Sequence, residues 1–184
     1  MAAARAITSR RIMTLKDFLV KEKIAILDGW LDRALIVYPV DSRDFFRKTR
    51  DPFSNPIGSA LREGIESLYP ELLQPMDPDR LGLILDPIMR IRAVEDLSPS
   101  RAISFIPSVK EVIKEALGDQ ILANVFWQEW LTLDGNIDQL TLQAFDIYMG
   151  YREKIHQLKN KELKGRAGKM AGERGQEKSP GEGR

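Results

Sequence analysis

Cysteine is absent from this chain of 184 residues, and histidine occurs once, at His156. Without cysteine a protein has no disulfide, thiolate zinc site, iron–sulfur cluster or cysteine nucleophile, and such a composition is typical of an intracellular protein. Glu153 and His156 have the E-x-x-H spacing found in di-iron bundles, but that kind of site needs a second histidine. We therefore expect no metal site.

The chain also lacks an excess of charge and a long apolar run. Its 28 Lys and Arg residues and 27 Asp and Glu residues leave a net charge of +1, so no global field attracts nucleic acid. No segment approaches the roughly 18–20 consecutive apolar residues that a membrane-spanning helix needs. We expect a cytoplasmic protein with no nucleic-acid partner and no membrane span.

Catalytic motifs are missing as well. The sequence contains neither phosphate-binding glycine pattern, G-x-x-x-x-G-K-[ST] or G-x-G-x-x-G, and no G-x-S-x-G nucleophile elbow. Carboxylates lie about one helical turn apart at Asp28 and Asp32 and at Glu63 and Glu66, but cations such as Arg33 favour a charge-compensated surface. The sequence predicts a protein that is not an enzyme, with no catalytic residue and no cofactor.

Apolar residues at helical spacing are what the sequence does contain. Between Thr14 and Tyr38 they step by four, three, four, three and four, which places them on one face of a long helix: Val20, Ile24, Leu27, Leu31, Ala34 and Tyr38. The hydroxyl of Thr14 suits an N-cap, and Pro39 is expected to end this helix.

Further helices are marked by caps and prolines. Asp77-Pro78 and Ser98-Pro99 are predicted helix starts, and Pro87 and Pro107 interrupt the two helices that follow. The first of these has its predicted apolar face at Leu81, Ile84, Leu85, Ile88, Ile91 and Val94, and the second is expected to end at Gly118.

The remaining helices are predicted from Asp41 or Ser42, over 57–69, over 121–133 and, after a turn at Asp134-Gly135, over 137–158. The aromatic cluster of Phe126, Trp127 and Trp130 is expected in the core or an interface. No strand-like alternation persists between turn residues, so the sequence predicts an all-α, compact bundle of about six or seven helices.

Composition divides the chain into three parts. Residues 165–184 hold six of the 13 glycines and few apolar side chains, so we expect a disordered C-terminal tail. Residues 1–13 are expected to be a flexible N-terminus and 14–164 a helical domain. The helix before the tail is rich in lysine and arginine, which indicates a solvated helix end or a docking patch for an acidic partner.

Four features together carry a family resemblance. They are Trp30 in the first helix, the loop R-D-P-F-S-N-P-I-G over 50–58, the tract I-M-R-I-R-A-V-E-D over 88–96 and the helix start S-P-S-R-A-I-S-F-I over 98–106. In these features, from about Leu15 to Tyr151, the chain resembles the N-terminal domain of the RsbRD-type RsbT co-antagonist proteins of bacteria.

The resemblance implies a non-enzymatic sensory or regulatory domain that acts through protein–protein interaction, in the style of the haem-free, globin-like sensor domains of stressosome proteins, which form dimers. In such regulators a STAS domain follows the helical domain. Here we expect a stand-alone member without STAS that binds a protein partner and forms a homodimer through its terminal helices. An accessory protein of a respiratory complex is an alternative.

The resemblance also selects a candidate contact site: Trp30, Arg50, Asp51, Pro52, Phe53, Asn55, Pro56 and Gly58. Two prolines fix the backbone of the loop, Asn55 is suited to cap the next helix, and Gly58 permits a close approach. The loop is therefore either a rigid corner of the bundle or a contact for a ligand or partner.

A ligand-binding sensor is the second hypothesis. Its pocket, lined by residues such as Trp30, Phe105 and Trp130, would take a small apolar molecule or haem, with Met89 or Met149 as an axial ligand. Methionines on apolar helix faces are more often part of the core.

Overall fold

The computed structural model describes residues 13–95, 97–118 and 126–176. This part of the chain contains eight α-helices and no strand, which confirms the prediction of a compact all-α fold with one helix more than expected. The helices are α1 (Leu15–Lys21), α2 (Lys23–Leu35), α3 (Val40–Lys48), α4 (Pro56–Glu71), α5 (Pro78–Val94), α6 (Pro99–Ile103), α7 (Phe105–Leu117) and α8 (Trp127–Gln176).

The first predicted helix is divided at Glu22, which ends α1 and begins α2. Thr14 is the N-cap of α1, as predicted. Its hydroxyl accepts a hydrogen bond from Asp17 N at 3.1 Å, and the Asp17 carboxylate accepts one from Thr14 N at 3.1 Å. These two bonds form a capping box, which satisfies two backbone donors that the helix leaves free.

The predicted apolar face of this segment is wrong in its first half, because Val20 and Ile24 are 60% and 79% exposed. The buried face instead carries Phe18, Leu19 and Trp30. Aromatic rings remove more apolar surface from water than Val or Ile side chains do, so the face that carries the rings turns inward.

The predicted helix starts at Asp77-Pro78 and Ser98-Pro99 are confirmed. Pro87 lies inside α5 and does not end it, whereas the next predicted helix is divided at Ser104 into α6 and α7. Pro107 thus falls in the first turn of α7, where its missing N–H has no helical partner to lose.

The predicted turn at Asp134-Gly135 is wrong, since α8 runs through it without a break. A glycine inside a helix costs only about 1 kcal/mol. Asp134 forms an ion pair with Lys110 of α7 at 3.0 Å, and Leu133 and Ile137 on either side are buried in the core. These tertiary contacts outweigh the local turn signal.

Helix α8 also continues beyond the predicted start of the tail. Residues 165–176 are helical, while the predicted helical residues 121–125 and the tail residues 177–184 lie outside the described part of the chain. Helix α5 packs against α8 and α4, and α2 packs against α7 and α4. One hydrophobic core fills the space between these helices.

Candidate functional site

The candidate site is centred on Asn55, which is completely buried between the end of α3 and the start of α4. Its Nδ2 donates hydrogen bonds to the carbonyl oxygens of Phe46 (2.9 Å) and Thr49 (2.7 Å), and its Oδ1 accepts one from Gly58 N (2.9 Å). One side chain thus forms hydrogen bonds with carbonyls at the C-terminal end of α3 and with an N–H group in the first turn of α4 that has no partner within the helix. Asn55 fixes the angle between the two helices.

Gly58 completes this junction by allowing the two helices to approach closely. A Cβ atom at this position would lie 2.2 Å from the Phe46 carbonyl oxygen and 2.2 Å from Asn55 Nδ2. Ser59, the next residue, donates a hydrogen bond from its hydroxyl to the carbonyl of Arg50 at 3.3 Å. The geometry is that of a rigid corner, and a contact between this loop and a partner stays a prediction.

Asp51 shapes the exposed side of the loop. Its carboxylate accepts hydrogen bonds from the Ser54 hydroxyl (2.5 Å), from Ser54 N (3.0 Å) and from Phe53 N (3.3 Å), the pattern of an Asx turn. These hydrogen bonds, that of the Ser54 hydroxyl above all, hold the pKa of Asp51 below its usual value. The side chain of Phe53 takes no part in this turn and is 97% exposed.

A groove of about 430 Å³ lies between α4 and α5, beside this loop. Small and apolar residues and one acid line it: Pro52, Pro56, Ser59, Ala60, Glu63, Gly64, Ser67, Leu83, Ile84 and Pro87. Leu83 is 77% exposed. The two prolines of the loop therefore belong to the groove as well as to the corner.

Trp30 does not belong to this site, because it is completely buried in α2. Its Nε1 donates a hydrogen bond of 2.6 Å to the carbonyl of Phe105, whose side chain is also completely buried. Trp130 is 4% exposed and Met89 is fully buried, whereas Met149 is 41% exposed on α8. The rings considered for a ligand pocket are thus part of the hydrophobic core.

The carboxylates considered as catalytic or metal-binding candidates from the sequence lie on the surface. Asp32 pairs with Arg47 of α3, and Asp28 lies 3.9 Å from the same guanidinium. Glu153 and His156 are both exposed on α8. In the described ranges, no group of three or more His, Asp or Glu side chains is placed to hold a metal ion.

One polar site that the sequence pattern does not predict is centred on Arg92 of α5. Val94, a predicted member of the buried face of α5, is 72% exposed, and Arg92 is completely buried. Its guanidinium donates to the carbonyls of Ala34 (3.0 Å), Arg101 (3.2 Å) and Ala102 (3.1 Å). Because these carbonyls lie near the C-terminal ends of α2 and α6, the cation also faces the negative ends of two helix dipoles.

Two aromatic rings enclose the same guanidinium. The Arg92 Cζ atom lies 4.9 Å from the ring centroid of Phe105 and 5.8 Å from that of Tyr38. The Tyr38 hydroxyl donates to Glu95 Oε2 at 2.7 Å. Burial lowers the pKa of Arg92 and raises that of Glu95, although the hydrogen bond from Tyr38 and the charge of Arg92 act in the opposite direction on Glu95.

The sequence signal for this site was an arginine at helical spacing from buried residues of α5. Leu85, Ile88 and Arg92 follow each other at steps of three and four, and a charge on such a face marks either an exposed position or a buried cation with dedicated partners. The partners of Arg92 come from α2 and α6, so only the tertiary structure shows that this position holds a buried cation and not an exposed one.

A single substitution tests the Asn55 junction. Asn55→Asp keeps the shape of the side chain but turns an oxygen toward the carbonyls of Phe46 and Thr49, so we expect it to lower the free energy of unfolding by about 2–3 kcal/mol. Urea denaturation followed by circular dichroism measures the loss. Asn160→Asp, on the exposed part of α8, is the matched control and should stay within about 0.5 kcal/mol of the parent. Equal losses in the two variants would refute this role of Asn55.

The fold and these sites define a small helical-bundle domain with a rigid loop corner and a buried arginine. Residues 24–163 match the family model described as RsbT co-antagonist protein rsbRD N-terminal domain, and the chain belongs to this family. The resemblance in sequence is thereby confirmed, and the family is one of signalling domains. No helix in the described part of the chain has both the length and the apolar character to cross a membrane.

Among curated proteins, one relative is an uncharacterized protein of Archaeoglobus fulgidus. The two chains are 26% identical over 140 residues, which cover 74% of this chain and 82% of the relative. No solved structure matches this chain.

Proposed function

We propose that this protein is a non-enzymatic regulatory domain that acts in the cytoplasm by binding other protein chains, including a second copy of itself. Family membership supports a role in signalling. The observation that carries the mode of action is an apolar stripe on the outer face of α8, where Leu142, Phe145 and Met149 are 66%, 38% and 41% exposed. A stripe with this spacing is typical of a helix that packs against another chain.

Helix α8 thus has apolar residues on two faces at the same level. Leu140, Ala144 and Tyr148 are completely buried against the bundle, while the stripe faces outward. The buried face of α8 packs against the other helices of the bundle. The outward-facing stripe packs against no helix in the described part of the chain. A twofold contact between two α8 helices would cover it.

The end of α8 offers a second surface for partners. Every residue from 156 to 166 is exposed, including the cations Lys159, Lys161 and Lys164. A helix rises about 1.5 Å per residue, so this segment extends well beyond the last contact of α8 with the core. The acidic partner considered from the sequence would meet this end of the helix, and that partner stays a prediction.

A charge placed in the stripe tests self-association. We expect Leu142→Glu to halve the mass of the saturated assembly in sedimentation equilibrium at micromolar concentration, because the glutamate would be buried without a counter-ion in the twofold contact. Leu142 is exposed in the single chain, so the free energy of unfolding should change by less than about 0.5 kcal/mol.

Val40→Glu is the control for this experiment. Val40 is 72% exposed and begins α3, where a glutamate suits the positive end of the helix. The control should sediment like the parent protein. A parent protein that is a strict monomer, or a Leu142→Glu variant that sediments like the parent, would contradict the proposed role of the stripe.

A further inference from the structure

Phe53 and the groove between α4 and α5 share one face of the molecule. Pro52, the residue before Phe53, and Pro56, which begins α4, both line the groove. The ring itself is 97% exposed and is absent from the lining of the groove. A projecting aromatic ring and a groove of about 430 Å³ therefore lie side by side.

The loop holds the backbone of Phe53 in place before any partner arrives. The Asp51 carboxylate accepts hydrogen bonds from the backbone N–H groups of Phe53 and Ser54. Asn55, the residue after Ser54, is anchored between two helices by its own side chain. The backbone entropy of ordering this loop has thus been lost on folding, so binding through Phe53 does not incur it again. Aromatic residues are enriched at the cores of protein interfaces, and side chains that fill a pocket there contribute much of the binding energy.

We propose that the occupant of the groove is a second copy of this chain, related by a twofold axis, with Phe53 of each copy inserted in the groove of the other. A twofold interface uses the same patch on both copies, so the patch must carry both the projecting group and the site that receives it. This face carries both. The lining of proline, alanine, leucine and isoleucine offers apolar contacts to the ring, and the small serines leave room for it.

The charges beside Phe53 and in the groove are complementary in this arrangement. Arg50 lies three residues before Phe53 and is exposed, and Glu63 is an exposed acid in the lining of the groove. Neither side chain forms an ion pair with the described part of its own chain. The projecting loop therefore carries a cation and the groove an acid, so a second copy offers this face a charge complement that a neutral apolar segment lacks.

This contact is separate from the α8 stripe and does not depend on it. A protomer with two different twofold surfaces assembles beyond a dimer, and the closed assembly of this kind is a tetramer. Removal of either surface leaves the other in place. The two contacts can therefore be tested one at a time.

Sedimentation equilibrium of two single variants and their combination separates the contacts. Phe53→Ser should weaken this association about tenfold or more, as loss of an aromatic anchor does, so that at micromolar concentration the assembly has about half the mass of the parent. Leu142→Glu should do the same for the α8 contact, and the double variant should be a monomer. Because the Phe53 side chain contacts solvent in the single chain, Phe53→Ser should unfold at the same denaturant concentration as the parent.

Cysteine cross-linking tests where Phe53 lies in the assembly. The chain contains no cysteine, so no native thiol forms disulfides that compete with the introduced pair. A tagged copy with Phe53→Cys and an untagged copy with Ser67→Cys, both carrying Leu142→Glu, should form a mixed disulfide in several-fold higher yield than Phe53→Cys with Leu158→Cys. Ser67 lines the groove, whereas Leu158 is 62% exposed on α8.

The results separate this proposal from the role of the α8 stripe. If Phe53→Ser sediments like the parent and the Ser67 pair cross-links no better than the Leu158 control, the groove does not hold a second copy and the proposal is overturned. If only Leu142→Glu lacks an effect, the α8 contact fails while the Phe53 contact stands.

Discussion

Arg92→Ala is expected to lower the free energy of unfolding by about 3–5 kcal/mol, a large fraction of the about 5–15 kcal/mol that stabilises a typical domain. The substitution removes the guanidinium donor from the buried carbonyl bonds of Ala34 and Ala102 and from the Arg101 carbonyl, which keeps the Ser104 hydroxyl as a partner. It also opens a cavity between the rings of Tyr38 and Phe105, which enclose the guanidinium. Urea denaturation followed by circular dichroism measures the loss.

Two further variants separate the contributions of Arg92. Arg92→Met fills most of the volume without a charge, so its loss should be smaller than that of Arg92→Ala and reports mainly the three carbonyls. Arg90→Ala, an exposed position on the same helix, should change stability by less than about 0.5 kcal/mol. A loss below about 1 kcal/mol in Arg92→Ala would show that the carbonyls find other partners.

Trp30→Ala is expected to cost about 3–5 kcal/mol, the range for a fully buried large aromatic residue. Trp30 is completely buried, and its indole donates to the Phe105 carbonyl at 2.6 Å. Helix α2, which carries Trp30, already lies so close to Val112 of α7 that a Cβ atom added at Gly29 would be 2.9 Å from Val112 Cγ1. The helix therefore has no room to move inward and fill the cavity left by Trp30. Thermal and urea unfolding should both show the loss.

Trp127→Ala is the matched control for Trp30, because the same side chain is 44% exposed at the start of α8. We expect a loss of less than about 1 kcal/mol there. Trp30→Phe should lie between the two, since it retains a ring and loses the indole hydrogen bond. If Trp30→Ala and Trp127→Ala are equally stable, Trp30 does not have the core role that its burial indicates.

Features that depend on neighbours in the chain were predictable. Thr14 and Asp17 form the capping box, Asn55 caps α4, and Gly118 ends α7 with a φ of 52°, a conformation that suits glycine. Caps and turns involve residues within about four positions of each other, so their partners can be found from spacing alone.

Features that depend on distant partners were not predictable. The spacing between Thr14 and Tyr38 fits two faces, and only contacts with other helices turn Phe18 and Trp30 inward and leave Ile24 exposed. Similarly, Asp134 and Gly135 look like a turn until Lys110 of another helix pairs with the aspartate.

The amino-acid sequence by itself determined the all-α class, the family and most helix boundaries, because periodicity and capping are local properties. It also determined that the 50–58 segment is a constrained loop. The tertiary structure alone decided that Arg92 is buried, that Trp30 is a core residue, and that Phe53 lies beside a groove. In each case the deciding contacts involve more than one helix, and sequence spacing does not specify how helices pack.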